Sequence, residues 1–279
     1  MDMIASHFPT EARRRPPPPS RPSYVRETVK TVTSAGPMTY HVVIPERPRT
    51  DLAPLLTIHG ISREATAVAE GFAERAAREG RIVVAPHFSA DAWPVFQRPT
   101  RKARPDIALL DLMEEARRFG LFSGREVNLF GFSGGGQLAH RFAMLYPHLV
   151  ASLHLGAAGW YCMPDAEAAY PYGLGQGRER DRDWSRRMAD NLDRFLDLPV
   201  SVYVGVEDDD PAAPALRRNP ALDAAQGADR RARAAAYVGG MKRAGCRIAE
   251  LIELPRCGHA FTDCIRFGGL ADRVLARSL

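Results

Sequence analysis

The stretch "VNLFGFSGGGQLAHRFA", residues 127–143, decides the fold of this chain. It begins with an apolar run typical of a buried strand and ends with the apolar spacing of an amphipathic helix. Between them a single serine, Ser133, lies among four glycines at positions 131, 134, 135 and 136. A turn with so few side chains predicts that strand and helix approach closely, with one hydroxyl exposed at the bend.

Residues 131–135 match the pattern G-x-S-x-G, in which a nucleophilic serine occupies a strained strand-to-helix turn. Glycines two positions before and after the serine let the strand and helix meet without a clash of Cβ atoms. The helix that starts there also directs backbone N–H groups towards an anion that forms nearby. A phosphate-binding turn is the alternative interpretation, but the lysine of G-x-x-x-x-G-K-[ST] is absent.

Apolar strands and helices alternate along most of the chain, which predicts an α/β fold. We expect a mostly parallel central sheet of about eight strands with helices on both faces. The predicted strands cover 24–33, 38–45, 55–60, 81–86, 126–132, 149–158, 199–206 and 247–255. The predicted helices cover 64–80, 105–120, 134–147, 228–245 and 265–279.

Three segments do not follow this alternation. Residues 1–22 are rich in proline and arginine and predict a flexible arm, which leaves 23–279 as one domain. Residues 159–184 are rich in aromatic side chains, and residues 207–227 are acidic and then proline-rich. Long irregular insertions are often lids or site loops, so 159–184 is a candidate lid after the sixth strand.

The composition is that of a globular protein. The chain has 279 residues, of which 45% are hydrophobic and 25% are charged, and it is long enough to bury a sizeable core. It has no apolar run of about 20 residues, which a membrane-spanning helix needs. The N-terminus lacks the apolar stretch of a signal peptide. We therefore expect a cytoplasmic protein with four free cysteines, whereas an oxidising compartment would allow three disulfide pairings.

The formal net charge of +5 comes partly from arginines in the N-terminal arm and in residues 97–105. Basic patches of this kind raise the question of nucleic-acid binding. Neither patch has interleaved aromatic residues or a recognised binding motif, so we expect solvated arginines and no nucleic-acid partner. The oligomeric state stays open.

A serine needs a general base, and the base needs a carboxylate to orient it. The chain supplies both after Ser133. The stretch "VYVGVEDDDP", 202–211, ends a predicted strand with four acids, and "LPRCGHAFTD", 254–263, ends the last strand with His259 beside a glycine. The order serine, acid, histidine is the one found in α/β-hydrolases.

On these residues the chain resembles the α/β-hydrolase superfamily. It is most similar to single-domain esterases of the polyhydroxybutyrate-depolymerase-like and dienelactone-hydrolase-like kinds. The resemblance covers roughly residues 37–279. It depends on "TIHG" at 57–60, "GFSGGG" at 131–136, "VGVEDDDP" at 204–211 and "CGHAF" at 257–261.

The resemblance implies that Ser133 is the nucleophile and His259 the general base. The family acid commonly follows a strand as G-x-x-D, which implies Asp208, three positions after Gly205 in "GVED". Asp209 and Asp210 stay open as alternatives, while Glu207 falls one residue short.

The resemblance further implies an oxyanion hole formed by the backbone N–H groups of Gly134 and Ile61, although the HGGG form of some lipases is absent. His59 is expected to brace the loop before Ile61. Trp160 and Tyr161 either wall the substrate pocket or pack the lid on its own body.

These residues imply a cofactor-free serine hydrolase that cleaves small-molecule carboxylic esters. No metal site is expected, because Cys257 and Cys264 lack a matching second pair of ligands. The alternatives are a polyester or oligoester depolymerase, an acyltransferase on the same fold, and a catalytically silent binding protein.

Overall fold

The computed structural model describes residues 22–177 and 182–279. Most of the predicted arm, residues 1–21, lies outside this range, as do residues 178–181 of the candidate lid. Within the described residues no helix is both long enough and apolar enough to cross a bilayer.

In the described part of the chain, eight strands form one sheet. They are β1 (Tyr24–Thr33), β2 (Gly36–Pro45), β3 (Leu55–Ile58), β4 (Val83–His87), β5 (Val127–Phe132), β6 (Val150–Gly156), β7 (Val200–Gly205) and β8 (Ala249–Leu254). Their spatial order is β1-β2-β4-β3-β5-β6-β7-β8. β2 pairs antiparallel with β1 and β4, and every other pair is parallel. The predicted α/β class with a mostly parallel sheet is confirmed.

The helices cover both faces of the sheet. They are α1 (Ala65–Glu79), α2 (Pro105–Arg118), α3 (Gly134–Leu145), α4 (Arg182–Asp190), α5 (Leu192–Leu196), α6 (Pro220–Gln226), α7 (Arg230–Arg243), α8 (Phe261–Arg266) and α9 (Leu270–Leu275). Buried side chains of α1 and α9 form one core with one face of the sheet, and those of α2, α3 and α7 form a larger core with the other face.

Side chains alternate between these two cores along each strand. Leu129 of β5 belongs to the larger core, while its neighbour Phe130 packs against Phe72 of α1 with ring centroids 4.8 Å apart. Because successive residues of a strand point to opposite faces, a strand covered on both sides is buried throughout and mostly apolar. All six residues of β5 are buried for this reason.

The structure corrects the predicted helix 265–279. Two short helices, α8 and α9, replace it, because Gly269 adopts a left-handed φ of 63° that no continuous helix permits. Three helices were not predicted, namely α4, α5 and α6. The beginning of α6 had a recognisable pattern, because the side chain of Asn219 caps it and proline occupies its first position.

The order of the strands fixes where a site can form. The chain moves outward from β3 to β4 and then returns past β3 to β5, so the direction of winding reverses at these strands. Ligand sites in open α/β sheets lie at the carboxyl ends of strands beside such a reversal. Ile58, the last residue of β3, pairs with Gly131 near the end of β5, so the two loops that follow these strands are neighbours.

Three histidines are buried without charge. Burial lowers the pKa of His59 to about 4 and that of His154 to about 3, and the nearby charges of Arg277 and Arg81 add to the effect at His154. The pKa of His140 is also lowered, mainly by burial. The ordinary pKa of a histidine is 6.5, so below this pH the unfolded chain binds protons at these histidines. The folded chain does not bind them until the pH is much lower.

This difference predicts a pH-dependent stability. The contribution of His154 is complete above pH 6.5 and is lost as the pH falls from 6.5 towards 3. Replacing His154→Gln should reduce the slope of unfolding free energy against pH in this window by up to about 1.4 kcal/mol per pH unit. Urea denaturation at several pH values measures the slope, and an unchanged slope would contradict the assignment.

Candidate active site

The turn at Ser133 is as tight as the sequence predicts. Ser133 has φ 52° and ψ −113°, a strained conformation for a residue with a side chain. A Cβ on Gly131 would lie 2.4 Å from the carbonyl oxygen of Gly135, and a Cβ on Gly135 would lie 2.2 Å from that of Ile58. Strand and helix can approach this closely only because both positions are glycine.

These contacts predict that Gly135→Ala destabilises the fold by at least about 2 kcal/mol, because the added methyl group meets rigid backbone. Gly124→Ala is a matched control, since a Cβ there meets nothing within 4 Å. The control should change the unfolding free energy by less than about 1 kcal/mol, in the stabilising direction. Equal denaturation midpoints for the two variants would contradict this account of the turn.

The structure brings Ser133, His259 and Asp208 together from the ends of three strands. His259 Nε2 lies 3.0 Å from Ser133 Oγ, and His259 Nδ1 lies 2.8 Å from Asp208 Oδ2. An ionised carboxylate only accepts hydrogen bonds, so Nδ1 carries the proton and donates to Asp208. Nε2 is then the acceptor for the Ser133 hydroxyl, which is the arrangement of a general base facing a nucleophile.

Among the four consecutive acids, Asp208 differs in its burial. It is 4% exposed, whereas Glu207, Asp209 and Asp210 are exposed to solvent. The loops that carry Asp208 and His259 meet at Gly205, where a Cβ would lie 2.1 Å from the carbonyl oxygen of Cys257. This glycine therefore permits the close approach that places the carboxylate beside the imidazole.

Aromatic side chains hold the imidazole from one side. The ring of Phe132, which directly precedes the serine, stacks on His259 with centroids 5.5 Å apart and an interplanar angle of 30°. Phe261 packs edge-on against Phe132 at 5.3 Å. The side chain of His259 is 33% exposed, so one part of the imidazole faces the solvent of a cleft.

Gly134 and Ile61, the two predicted oxyanion donors, are neighbours beside Ser133. A Cβ on Gly134 would lie 3.5 Å from the backbone nitrogen of Ile61. Neither of these N–H groups has a hydrogen-bond acceptor within residues 22–177 and 182–279. Two unpaired backbone donors beside a serine hydroxyl can bind an oxyanion.

His59 braces the loop that presents Ile61. Its Nε2 accepts a hydrogen bond from the backbone N–H of Phe88 at 3.0 Å, so its Nδ1 donates to the carbonyl oxygen of Gly60 at 2.7 Å. Both ring nitrogens are therefore occupied by backbone groups. With a pKa lowered to about 4 by burial, His59 stays neutral at pH 7.

A cleft of about 390 Å³ opens above Ser133 and His259. Its lining is mostly apolar and includes Val68 of α1, Phe132 and Phe261. Gln137 of α3 contributes an amide to the same cleft. This size and chemistry suit a small organic ligand held beside a few polar groups.

A scan against protein-family models and a search of curated proteins return no match to this sequence. Solved structures do match. The chain is similar to poly(aspartic acid) hydrolase-1 from Sphingomonas sp. KT-1, with a TM-score of 0.74 and 22% identity over 92% of this chain and 99% of that one. It has the α/β-hydrolase fold.

Two further structures share the α/β-hydrolase fold with this chain. One is LpqC, a poly(3-hydroxybutyrate) depolymerase from Bordetella parapertussis, with a TM-score of 0.71 and 24% identity over 90% of this chain and 95% of that one. The other is an S-formylglutathione hydrolase from Agrobacterium tumefaciens, with a TM-score of 0.61 and 15% identity over 92% of this chain and 96% of that one. At these identities the similarity establishes the fold alone.

Within this α/β-hydrolase fold, Trp160 and Tyr161 lie away from the cleft lining. The guanidinium of Arg141 lies over the Trp160 ring, with its central carbon 4.4 Å from the centroid. Tyr161 is fully buried and stacks on Tyr237 with centroids 4.3 Å apart. Of the described part of the candidate lid, Gly159 lines the cleft, and the two aromatic residues pack the segment onto the body.

Among the residues of the site that were not predicted, one contacts the acid directly. Arg230, the first residue of α7, donates from Nη1 to Asp208 Oδ1 at 3.2 Å. The sequence around it, "DRRARAAAY", contains three arginines within four positions. Two of them, Arg230 and Arg233, are buried, and spacing alone does not show which one contacts Asp208. Asp229 marks the start of the helix as its cap, which fixes the direction in which Arg230 projects.

Proposed function

We propose that this chain is a serine hydrolase that cleaves carboxylic esters through an acyl-enzyme intermediate. The observation that carries the proposal is the hydrogen-bonded series Ser133–His259–Asp208, with distances of 3.0 and 2.8 Å. The strained turn at Ser133, the two unpaired N–H groups and the adjoining cleft support it. Each part has a role in acyl transfer.

In the proposed reaction, Ser133 Oγ attacks the ester carbonyl carbon while His259 Nε2 takes the hydroxyl proton. The N–H groups of Gly134 and Ile61 bind the oxyanion of the tetrahedral intermediate. His259 then gives its proton to the leaving alcohol, and the acyl group remains on Ser133. A water molecule, activated by the same imidazole, releases the carboxylic acid and restores the serine. Asp208 holds the tautomer and stabilises the imidazolium.

The cleft supports small esters as substrates. Its volume of about 390 Å³ and its apolar lining match a short acyl chain better than a long one. We therefore expect p-nitrophenyl acetate and butyrate to be turned over faster than the C12 and C16 esters. A panel of acyl lengths at equal concentration measures this preference.

A fluorophosphonate probe tests the proposed function directly. The probe reacts with an activated serine, so a single adduct at Ser133 is expected, together with loss of ester hydrolysis. A catalytically silent binding protein would stay unlabelled under conditions that label a known serine esterase. Mass spectrometry of the labelled peptide identifies the modified residue, and an adduct elsewhere would contradict the assignment of the nucleophile.

A second candidate is the hydrolysis of oligoesters or polyesters. One of the similar structures carries the name of an enzyme that acts on a polyester, poly(3-hydroxybutyrate) depolymerase, and it matches over 90% of this chain. Chromatography of a 3-hydroxybutyrate trimer and tetramer incubated with the enzyme tests it. Release of monomer and dimer supports a depolymerase, whereas intact oligomers together with rapid p-nitrophenyl butyrate turnover restrict the activity to small esters.

A further inference from the structure

A buried cation lies on the far side of the acid from the imidazole. The side chains of Arg230 and Asp208 are each 3% exposed, and Nη1 of the arginine lies 3.2 Å from Oδ1 of the aspartate. The other carboxylate oxygen, Oδ2, accepts the hydrogen bond from His259. Each oxygen of the carboxylate thus has its own donor.

The backbone reinforces this arrangement. The N–H of Arg231 donates to the carbonyl oxygen of Asp208 at 3.2 Å, so the first turn of α7 is attached to the acid loop by main chain as well. Nη2 of Arg230 donates to the carbonyl oxygen of Pro214 at 3.4 Å. The guanidinium is therefore fixed between the acid and the loop that borders the cleft.

A charged carboxylate removed from water needs a counter-charge and donors for its oxygens. His259 supplies a donor to one carboxylate oxygen only. Arg230 places a guanidinium beside the other oxygen within the same buried volume, at a geometry that leaves Oδ2 pointing to the imidazole. Without Arg230, Asp208 would lose the contact that fixes its orientation towards His259.

We propose that Arg230 is a positioning residue of the active site, which holds Asp208 in the orientation that aims Oδ2 at His259. This inference rests on the proposed function, because it assigns Arg230 a part in that same reaction. Arg230 also borders the cleft, so direct binding of substrate is the competing explanation. Its terminal nitrogens already donate to Asp208 and Pro214, which favours action through the acid.

The kinetic constants separate these two explanations. Arg230→Gln should lower kcat for p-nitrophenyl butyrate by about 10- to 100-fold and leave KM within about twofold, since only transition-state stabilisation is lost. Arg230→Lys keeps the positive charge but loses the planar guanidinium that donates to both Asp208 and Pro214. This variant should therefore recover part of the kcat that Arg230→Gln loses. A rise in KM with unchanged kcat would assign Arg230 to substrate binding and overturn the proposal.

Arg231→Gln is the matched control. The Arg231 side chain is 41% exposed and pairs with Glu253 on the surface, while its contact with Asp208 is through the backbone and survives the substitution. Its kcat and KM should stay within about twofold of the wild type. Should Arg230→Gln fail to fold, Arg230→Lys alone still tests the proposal. A kcat of Arg230→Lys equal to that of the wild type would overturn it.

A double-mutant cycle with Asp208→Asn gives a readout that general destabilisation does not produce. If Arg230 acts through the carboxylate, Arg230→Gln should cost less than about threefold in kcat once Asp208 is asparagine. If the fold-losses in kcat of the two single variants instead multiply in the double variant, Arg230 acts independently of Asp208. A wild-type chain that neither hydrolyses esters nor reacts with fluorophosphonate would instead refute the proposed function itself.

Discussion

Ser133→Ala should lower kcat for p-nitrophenyl ester hydrolysis by roughly 10⁵-fold or more, because the covalent step loses its nucleophile. The fold should survive, since the hydroxyl forms one hydrogen bond, to His259, at the edge of a cleft. The unfolding free energy should therefore change by less than about 1.5 kcal/mol. Steady-state kinetics and a denaturation curve on the same preparation measure both quantities.

Ser123→Ala provides the control for this result. Ser123 is an exposed serine whose hydroxyl donates to the carbonyl oxygen of Thr50, and neither residue lines the cleft. This variant should retain wild-type turnover and react with fluorophosphonate, whereas Ser133→Ala should do neither. Near-wild-type turnover by Ser133→Ala would remove the proposed mechanism.

Asp208→Asn should lower kcat by about 10⁴-fold, by analogy with the loss of the acid in serine proteases. An amide at this position can donate to Nδ1, which favours the tautomer with its proton on Nε2, so the imidazole can no longer accept the serine proton. It also leaves the buried Arg230 without a counter-charge, so some loss of stability is expected as well.

The neighbouring acid is the natural comparison. Asp209→Asn should change kcat by less than about threefold, because Asp209 is exposed and hydrogen bonds to neither His259 nor Arg230. Kinetics of the two variants under identical conditions decide between the acids. A severe loss with Asp209→Asn and a mild one with Asp208→Asn would show that the carboxylate facing His259 is not the functional one.

Local patterns predicted the parts of the molecule that local chemistry controls. The turn at Ser133 needs glycines at fixed offsets, so its position is visible in a five-residue window. The resemblance to the α/β-hydrolases implied Asp208 among the four acids and left Asp209 and Asp210 open, and the structure brings Asp208 to His259. The apolar strands were equally predictable, because burial on both faces makes five of the six residues of β5 apolar or glycine, with Asn128 as the exception.

Features that depend on contacts between residues distant in the chain could not be predicted from the sequence. Whether Trp160 and Tyr161 face the cleft or the core depends on Arg141 and Tyr237, which lie far away in sequence. The burial of Arg230 depends on the placement of Asp208, 22 residues earlier in the chain. The break between α8 and α9 depends on the backbone conformation of Gly269, which a glycine pair permits but does not require.

The absence of a side chain at Gly205 has a mechanical consequence. The segment bearing the carboxylate lies directly on the segment bearing the imidazole, peptide group against peptide group, which fixes the spacing between the acid and the base. The hydroxyl lies on a different segment, the joint between β5 and α3. A side chain added at position 205 would therefore push the acid and the base apart without touching the turn that carries the serine.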